Sequence, residues 1–271
     1  MKHLGRSLAV SLKNLFPTNK DKASFFLLAI VGSVISILEL GIAKIFSEIV
    51  VTKNSSESKI VWLIITFVVL SLSAKSATYF QRTKRISIFS EALGEEEGRK
   101  NNSWNLSLSM EFSNTVGHLL QLLLILSFVT FLSPKFGLVI FLGIITSLFI
   151  FNHLLQRQVI FQEKIFKTRF TKYNVTSKNR VLSRVKSSEI GSFISGIITL
   201  IMIMILIFLH LQDMISTADS IVSFFAIRMI GTNMSSLSSS LMRYARALVN
   251  SSFGSARLTR SSPADDTLEE W

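Results

Sequence analysis

The chain has 271 residues, of which 49% are hydrophobic, and it carries a net charge of +12 at pH 7. Soluble domains of this length rarely combine so many apolar residues, whereas multispanning membrane proteins often do. Cysteine is absent, which excludes disulfides, thiolate metal sites and thiol catalysis.

The first segment, residues 1–22, is predicted to be an amphipathic elbow helix followed by a turn. Leu4, Leu8, Leu12 and Leu15 recur at helical spacing, and the cations lie off that stripe. Pro17 ends the pattern. Such a helix lies in the headgroup plane and leads into a membrane span. The alternative interpretation is a frayed, solvated leader.

Six apolar windows follow, each close to the ~20 residues that a helix needs to cross the hydrocarbon core. They cover residues 23–50, 60–80, 115–132, 136–155, 190–211 and 221–241, and the second half of the last one is rich in serine. Because the bilayer offers no water to backbone groups, these windows must be helical. The predicted fold is therefore an all-α, polytopic membrane protein with six transmembrane helices over residues 23–258. An acidic, disordered tail is predicted over residues 259–271.

The segments that connect these spans alternate in basicity. One set, which includes both ends of the chain, holds 23 Lys and Arg residues, whereas the opposite set holds only Lys53, Lys59 and Lys135. Basic loops stay in the cytoplasm, so we expect both termini to be cytoplasmic in a bacterial inner membrane. The positive charge is thus mainly a topology signal with contact to anionic lipid, and it argues against a nucleic-acid partner.

The connections also differ in length. The outer ones are short, which predicts tight antiparallel helix hairpins. The inner ones, residues 81–114 and 156–189, are longer and are predicted to continue the helices beyond the membrane.

Charged residues inside spans are costly and tend to face the bundle interior. Glu39 in the first span and Arg228 in the sixth lie at similar depths in the outer half, so we predict that they pair across helices; this pair could serve transport or simply neutralise two buried charges. Lys75 is expected to extend to the inner headgroups. Lys44 and Glu48, four residues apart, predict a weak surface pair.

The sixth span has a hydroxyl-bearing face. Arg228, Thr232, Ser235 and Ser239 share one side of the helix. This face suits a water-filled cavity, and it equally suits close packing through small residues. With Glu39, these four residues are the candidates for a translocation path.

Motifs for catalysis and nucleotide binding are missing from the sequence. The chain has no phosphate-binding glycine-rich loop, and its four histidines are scattered without an H-x-x-x-H pair. We therefore expect no enzyme activity, no cofactor and no metal site in this chain.

Local sequence resembles one family of transporters. Leu38-Glu39-Leu40-Gly41 is similar to an acidic, glycine-containing stretch in the first span of ABC exporters (type I) from the oligosaccharide- and lipid-flippase branch. The segment 225–231, with Arg228 at its centre, is similar to that branch's Phe-Ala-x-x-Arg-x-x-Pro element, with Gly231 in the place of proline. Six spans, an elbow helix and short outer loops add to the resemblance, which covers residues 1–258.

The resemblance implies a membrane (permease) subunit of an ABC-type exporter or flippase that works as a homo- or heterodimer. No ATPase domain is found in the chain and its inner loops are short for the family, so ATP would act through an ATPase supplied by another chain. The alternative is a non-transporting membrane scaffold or assembly protein derived from such a domain. An ion-coupled carrier is less favoured, because the spans lack a series of acidic residues.

Overall fold

A computed structural model of the chain describes residues 19–51, 57–92, 99–168 and 177–258. Within these ranges the backbone forms six helices: α1 (Asn19–Val51), α2 (Glu57–Ala92), α3 (Arg99–Leu132), α4 (Pro134–Thr168), α5 (Ser177–Leu211) and α6 (Thr217–Leu258). The all-helical prediction is confirmed for this part of the chain. The predicted elbow helix and acidic tail lie outside the described residues. Residues 19–22, predicted to close the turn, instead begin α1.

The helices are longer than a membrane requires. They contain between 33 and 42 residues, so each is ~50 Å or more in length at 1.5 Å per residue, against a hydrocarbon core of ~30 Å. The predicted helical extension of the inner connections is confirmed by α2, which continues to Ala92, and by α4, which continues to Thr168. A helix satisfies its own backbone in lipid and in water alike, so it need not end where the apolar window ends.

Five of the described helices are long and apolar enough to cross a membrane, which makes the chain a multi-pass membrane protein. Their candidate spans are Ala29–Val51, Ser58–Gln81, Ser107–Leu132, Pro134–Ile165 and Val185–Leu211. The sixth helix does not reach the same hydropathy, so the six-span count stays a prediction.

The position of α6 in the bundle explains its low hydropathy. α6 packs against α1, α3, α4 and α5, whereas α2 packs mainly against α1. The largest core cluster lies around α6, where its apolar face meets the other helices; its members include Leu40, Leu122, Ile125, Phe136, Phe151, Met202, Ile227, Ile230, Met234, Leu237 and Tyr244. Because protein rather than lipid surrounds most of α6, this helix can carry serines that a lipid-facing helix would not.

The outward faces of α2, α4 and α5 are apolar. Only 6% of the α2 span is buried, and large side chains such as Trp62, Leu72, Phe149 and Met204 are exposed. Exposed apolar faces of this extent suit lipid as the solvent.

The short connections are tight hairpins where the structure describes them. We call their end of the bundle outer and the opposite end inner, after the predicted orientation. A single residue, Ser133, joins α3 to α4, and Pro134 takes the first position of α4, where its missing N–H is not needed. The α5–α6 turn caps α5 with hydrogen bonds from Asp213 N to His210 O (3.0 Å) and from Met214 N to Leu209 O (3.1 Å). This is a Schellman motif, with Asp213 in the left-handed region at φ 54°.

Candidate functional site

One side of α6 is only partly covered by the other helices, because α5 lies along its border, and most of this side is polar. We call it the open face of α6 and define it as Phe224, Arg228, Thr232, Ser235, Ser236 and Ser239, which recur at helical spacing. The side chains of Phe224, Arg228 and Thr232 are exposed, and the three serines are half-buried. The open faces of α2, α4 and α5 are apolar, so the open face of α6 differs from them in chemistry.

A groove of about 820 Å³ lies along the open face, between α5 and α6. Its α6 wall contains Arg228, Thr232 and Ser235, and its α5 wall combines the hydroxyls of Ser192 and Thr199 with apolar side chains. The apolar lining comprises Phe193, Ile197, Leu200, Ile203 and Phe224. The groove thus offers one cation and several hydroxyls next to an apolar wall.

Arg228 has no acidic partner among the residues that the structure describes. The ion pairs in that part of the chain include Lys44 with Glu48, Lys44 with Asp219, and Arg243 with Glu111, and none of these involves Arg228. A guanidinium stays charged at any physiological pH, and an uncompensated charge at membrane depth is costly. Arg228 therefore needs water, an anion or a partner surface in the groove.

The predicted pair between Glu39 and Arg228 is not formed. Glu39 is exposed on α1 and does not line the groove. Its neighbour Leu40 is fully buried, and consecutive helical residues point about 100° apart, so burial of Leu40 turns Glu39 outward. Equal depth along two helices does not fix the rotation of either helix about its axis.

Two of the candidate serines connect α6 to α5. Ser192 Oγ and Ser235 Oγ lie 2.6 Å apart, and Ser188 Oγ and Ser239 Oγ lie 2.8 Å apart. Glycines permit this approach: a Cβ on Gly231 would lie 2.7 Å from Thr199 Oγ1, and a Cβ on Gly191 would overlap Ser238 Oγ. Ser235 and Ser239 therefore pack against α5, whereas Arg228 and Thr232 line the open groove.

An ion pair at the inner end of the bundle joins α3 to α6. Arg243 Nε donates to Glu111 Oε1 at 2.7 Å, and Ser240 Oγ donates to Glu111 Oε2 at 3.1 Å. The Glu111 side chain is 15% exposed and that of Arg243 is 49% exposed. Sequence reasoning missed this pair because both residues lie just outside the predicted spans, where charges were attributed to topology. The recurrence of Glu111, Thr115 and His118 at helical spacing was the available signal.

A second ion pair joins α1 to the start of α6 at the outer end. Lys44 Nζ lies 2.7 Å from Asp219 Oδ1 but 3.9 Å from Glu48 Oε1. The predicted Lys44–Glu48 pair is present, yet Asp219 is the closer partner. Burial alone would raise the pKa of Asp219, but hydrogen bonds from Lys44 and Ser216 and the Lys44 charge outweigh burial and lower that pKa.

Lys75 is exposed on α2, away from the groove. Within the described ranges, no three or more His, Asp or Glu side chains gather as a metal-binding group. No known family model matches this chain, and no curated protein matches it at a significant level.

Proposed function

We propose that this chain is the transmembrane (permease) subunit of an ABC-type exporter or flippase, driven by an ATPase on another chain. The observation that carries the proposal is the polar open face of α6, where Arg228, which has no acidic partner among the described residues, lines a groove of about 820 Å³. A helix that met only lipid here would gain from leucine or isoleucine. The open face therefore fits contact with water or with a polar substrate.

The chemistry of the groove favours an amphipathic substrate with an anionic group. Arg228 supplies a planar cation that binds phosphate or carboxylate well, and the hydroxyls of Thr199 and Thr232 lie beside it. The exposed side chains of Phe193 and Leu200 offer an apolar wall for a hydrocarbon tail. Because the groove is open on one side, a second such bundle facing it would close a path, which supports a homo- or heterodimer.

The sequence resemblance supports the same proposal independently. Arg228 is the cation of the Phe-Ala-x-x-Arg element, and Gly231 takes the place of the proline in that element. The close approach of Gly231 to Thr199 gives this position a packing role in the present chain. The alternation of basic loops supports cytoplasmic termini, on the side where an ATPase would bind, and a bacterial inner membrane is the proposed location.

A flux assay tests the proposal. The chain and its co-purifying ATPase would be reconstituted in liposomes that contain a fluorescent anionic lipid, and ATP-dependent movement of that lipid would be followed by quenching with dithionite. We expect Arg228→Ala to lower the rate at least ~10-fold, because the loss of a charge-assisted contact costs ~1.5–3 kcal/mol. Lys75→Ala removes an exposed cation outside the groove and is the matched control. Equal rates in both variants and the parent would remove Arg228 from the path.

The packing of α6 against α5 favours a second candidate, a non-transporting scaffold. Ser235 and Ser239 form hydrogen bonds to α5 serines. Such contacts between helices stabilise a bundle whether or not the protein transports a substrate. Affinity purification in mild detergent separates the two. An ATPase that co-purifies and is stimulated by lipid supports the transporter, whereas other membrane proteins without an ATPase support the scaffold.

A further inference from the structure

A polar cluster around His118 joins three helices inside the bundle. His118 Nδ1 of α3 lies 3.3 Å from Asn233 Oδ1 of α6 and 3.3 Å from Gln121 Oε1. Gln121 Nε2 in turn donates to the backbone carbonyl of Gly32 in α1 at 3.3 Å. With the two amide groups assigned so that their oxygens face Nδ1, the arrangement favours the tautomer that carries a proton on that nitrogen.

The cluster lies near the middle of the membrane span. At 1.5 Å per residue, His118 is ~16 Å from the inner end of the α3 span and ~21 Å from its outer end, with the span taken as Ser107–Leu132. Asn233 is only 9% exposed. An ionisable residue at this depth is costly and is a functional candidate by default. The groove does not include it.

A seam of polar side chains leads from the cluster to the inner end of the bundle. On α3, Glu111 and Thr115 lie on the same face as His118, and on α6, Ser240 lies two turns from Asn233. Thr115 Oγ1 and Ser240 Oγ are 3.2 Å apart, and Ser240 Oγ donates to Glu111 Oε2 at 3.1 Å. Glu111 is partly exposed, so the seam begins at water.

Few other ionisable groups face His118 from the helices packed against α3. Glu111 on α3 and Arg243 on α6 lie at the inner end of the seam and pair with each other. α1 has no ionisable residue over 23–38, and α4 has none over 136–152. On α2, Lys75 is exposed. A charge on His118 would thus act on its amide partners Asn233 and Gln121 and on the Glu111–Arg243 pair.

We propose that His118 is a proton-binding site within the membrane, reached from the inner side along this seam, and that its proton sets how α1, α3 and α6 meet. A hydronium ion at the inner end gives a proton to the Glu111 carboxylate and leaves as water. The hydroxyls of Thr115 and Ser240 pass a proton on toward the ring, and the Glu111 carboxylate is ionised again. The proton converts the His118 ring to an imidazolium. The resulting imidazolium strengthens the Nδ1–H bonds to Asn233 and Gln121, because charge-assisted hydrogen bonds are the stronger ones. Loss of the proton weakens the hydrogen bonds that connect α3 to α6 and, through Gln121, to α1. The inference is independent of any ATPase or substrate.

Direct titration is the first test. The full chain, labelled with ¹⁵N-histidine and placed in lipid nanodiscs, would be followed by NMR from about pH 5 to about pH 8, the range in which histidine titrates. His118→Gln assigns the signal. We expect the ring nitrogens of His118 to change shift with pH, and Glu111→Gln to alter that titration. Ring signals that stay constant over this range would overturn the proposal.

A distance measurement is the second test. Because the chain has no cysteine of its own, spin labels attach only at the two cysteines that are introduced. Spin labels on Val50→Cys and Phe131→Cys, both exposed at the outer ends of α1 and α3, report how these helices meet. We expect the distance distribution to shift by ~1–2 Å or more between acidic and alkaline buffer, to lose this pH dependence in His118→Gln, and to keep it in the control His153→Gln. A shift that persists in His118→Gln, or no shift in the labelled parent, would contradict the proposal.

Discussion

Gly191 lies at a close contact between α5 and α6, and Gly191→Ala perturbs this contact with a single carbon. The new Cβ would overlap Ser238 Oγ, and it would lie 2.8 Å from Ser238 Cβ and 3.4 Å from Phe151 Cε1. Ser238 and Phe151 are both fully buried, so neither can move aside freely. We expect α5 and α6 to separate at this level, with weakening of the Ser192–Ser235 and Ser188–Ser239 contacts.

The expected cost follows from these contacts. Overpacking in a closely packed core costs ~1–3 kcal/mol, and each interhelical hydrogen bond in a membrane is worth ~0.6 kcal/mol. The higher helix propensity of alanine offsets up to ~1 kcal/mol of this destabilisation. The free energy of unfolding should fall by ~1–3 kcal/mol in Gly191→Ala. Far-UV circular dichroism during unfolding in mixed detergent and dodecyl sulfate micelles measures this change.

Gly196 provides a matched control on the same helix, because a Cβ there meets nothing within 4 Å. Gly196→Ala should be neutral or slightly stabilising. The double variant Gly191→Ala with Ser238→Gly should recover part of the lost stability, since it removes both Ser238 atoms that the new carbon approaches. If Gly191→Ala and Gly196→Ala were equally stable, the close α5–α6 packing would be refuted.

Two further predictions concern the outer turn. The pKa of Asp219 is lowered in the fold, so its ion pair with Lys44 stabilises the protein above about pH 4, and this contribution is lost as the pH falls through the folded pKa. Asp219→Asn should lower the unfolding free energy by up to ~1 kcal/mol at pH 7 and should match the parent in strong acid. The control variant Glu48→Gln should change little, because the Glu48 oxygen lies 3.9 Å from Lys44 Nζ. An Asp219→Asn deficit that persists unchanged in strong acid would contradict this. Asp213 has φ 54°, a backbone conformation that glycine adopts freely and valine does not. Asp213→Gly should therefore raise the thermal unfolding midpoint and Asp213→Val should lower it, each by the shift that corresponds to ~1 kcal/mol in the free energy of unfolding. The opposite order would refute the Schellman cap.

Hydropathy predicted six spans, and five of them lie in described helices that are long and apolar enough to cross a membrane, because lipid imposes both apolar side chains and internal backbone pairing on a long segment. The helical extensions of the inner connections were predicted as well. The sixth window was weaker, and its structure explains why: α6 is surrounded by four helices, so its sequence reflects protein contact on most sides. The sequence does not show which helices surround α6. It shows only that half of the window is rich in serine, which is compatible with a cavity and with packing.

One part of the candidate site follows from helical spacing in the sequence, and another part does not. Arg228, Thr232 and Ser235 line one groove, because residues at helical spacing share a face whatever surrounds the helix. Glu39 does not join them, since matching depth left the rotation of α1 undetermined. The Glu111–Arg243 pair lay at the membrane border, where a charge can equally serve topology, so its role depended on contacts between α3 and α6 that are far apart in sequence.

The central claim is that the open face of α6 meets water rather than lipid in the bilayer. Because the chain lacks cysteine, single cysteines at Thr232 and Ser236 can be tested in native membranes with a charged methanethiosulfonate reagent, against controls at Leu142 and Met204 on the apolar faces of α4 and α5. Rapid labelling at Thr232 and Ser236 with protection at Leu142 and Met204 is the result expected. Equal protection at all four positions would show that lipid covers the open face and would contradict the proposed path.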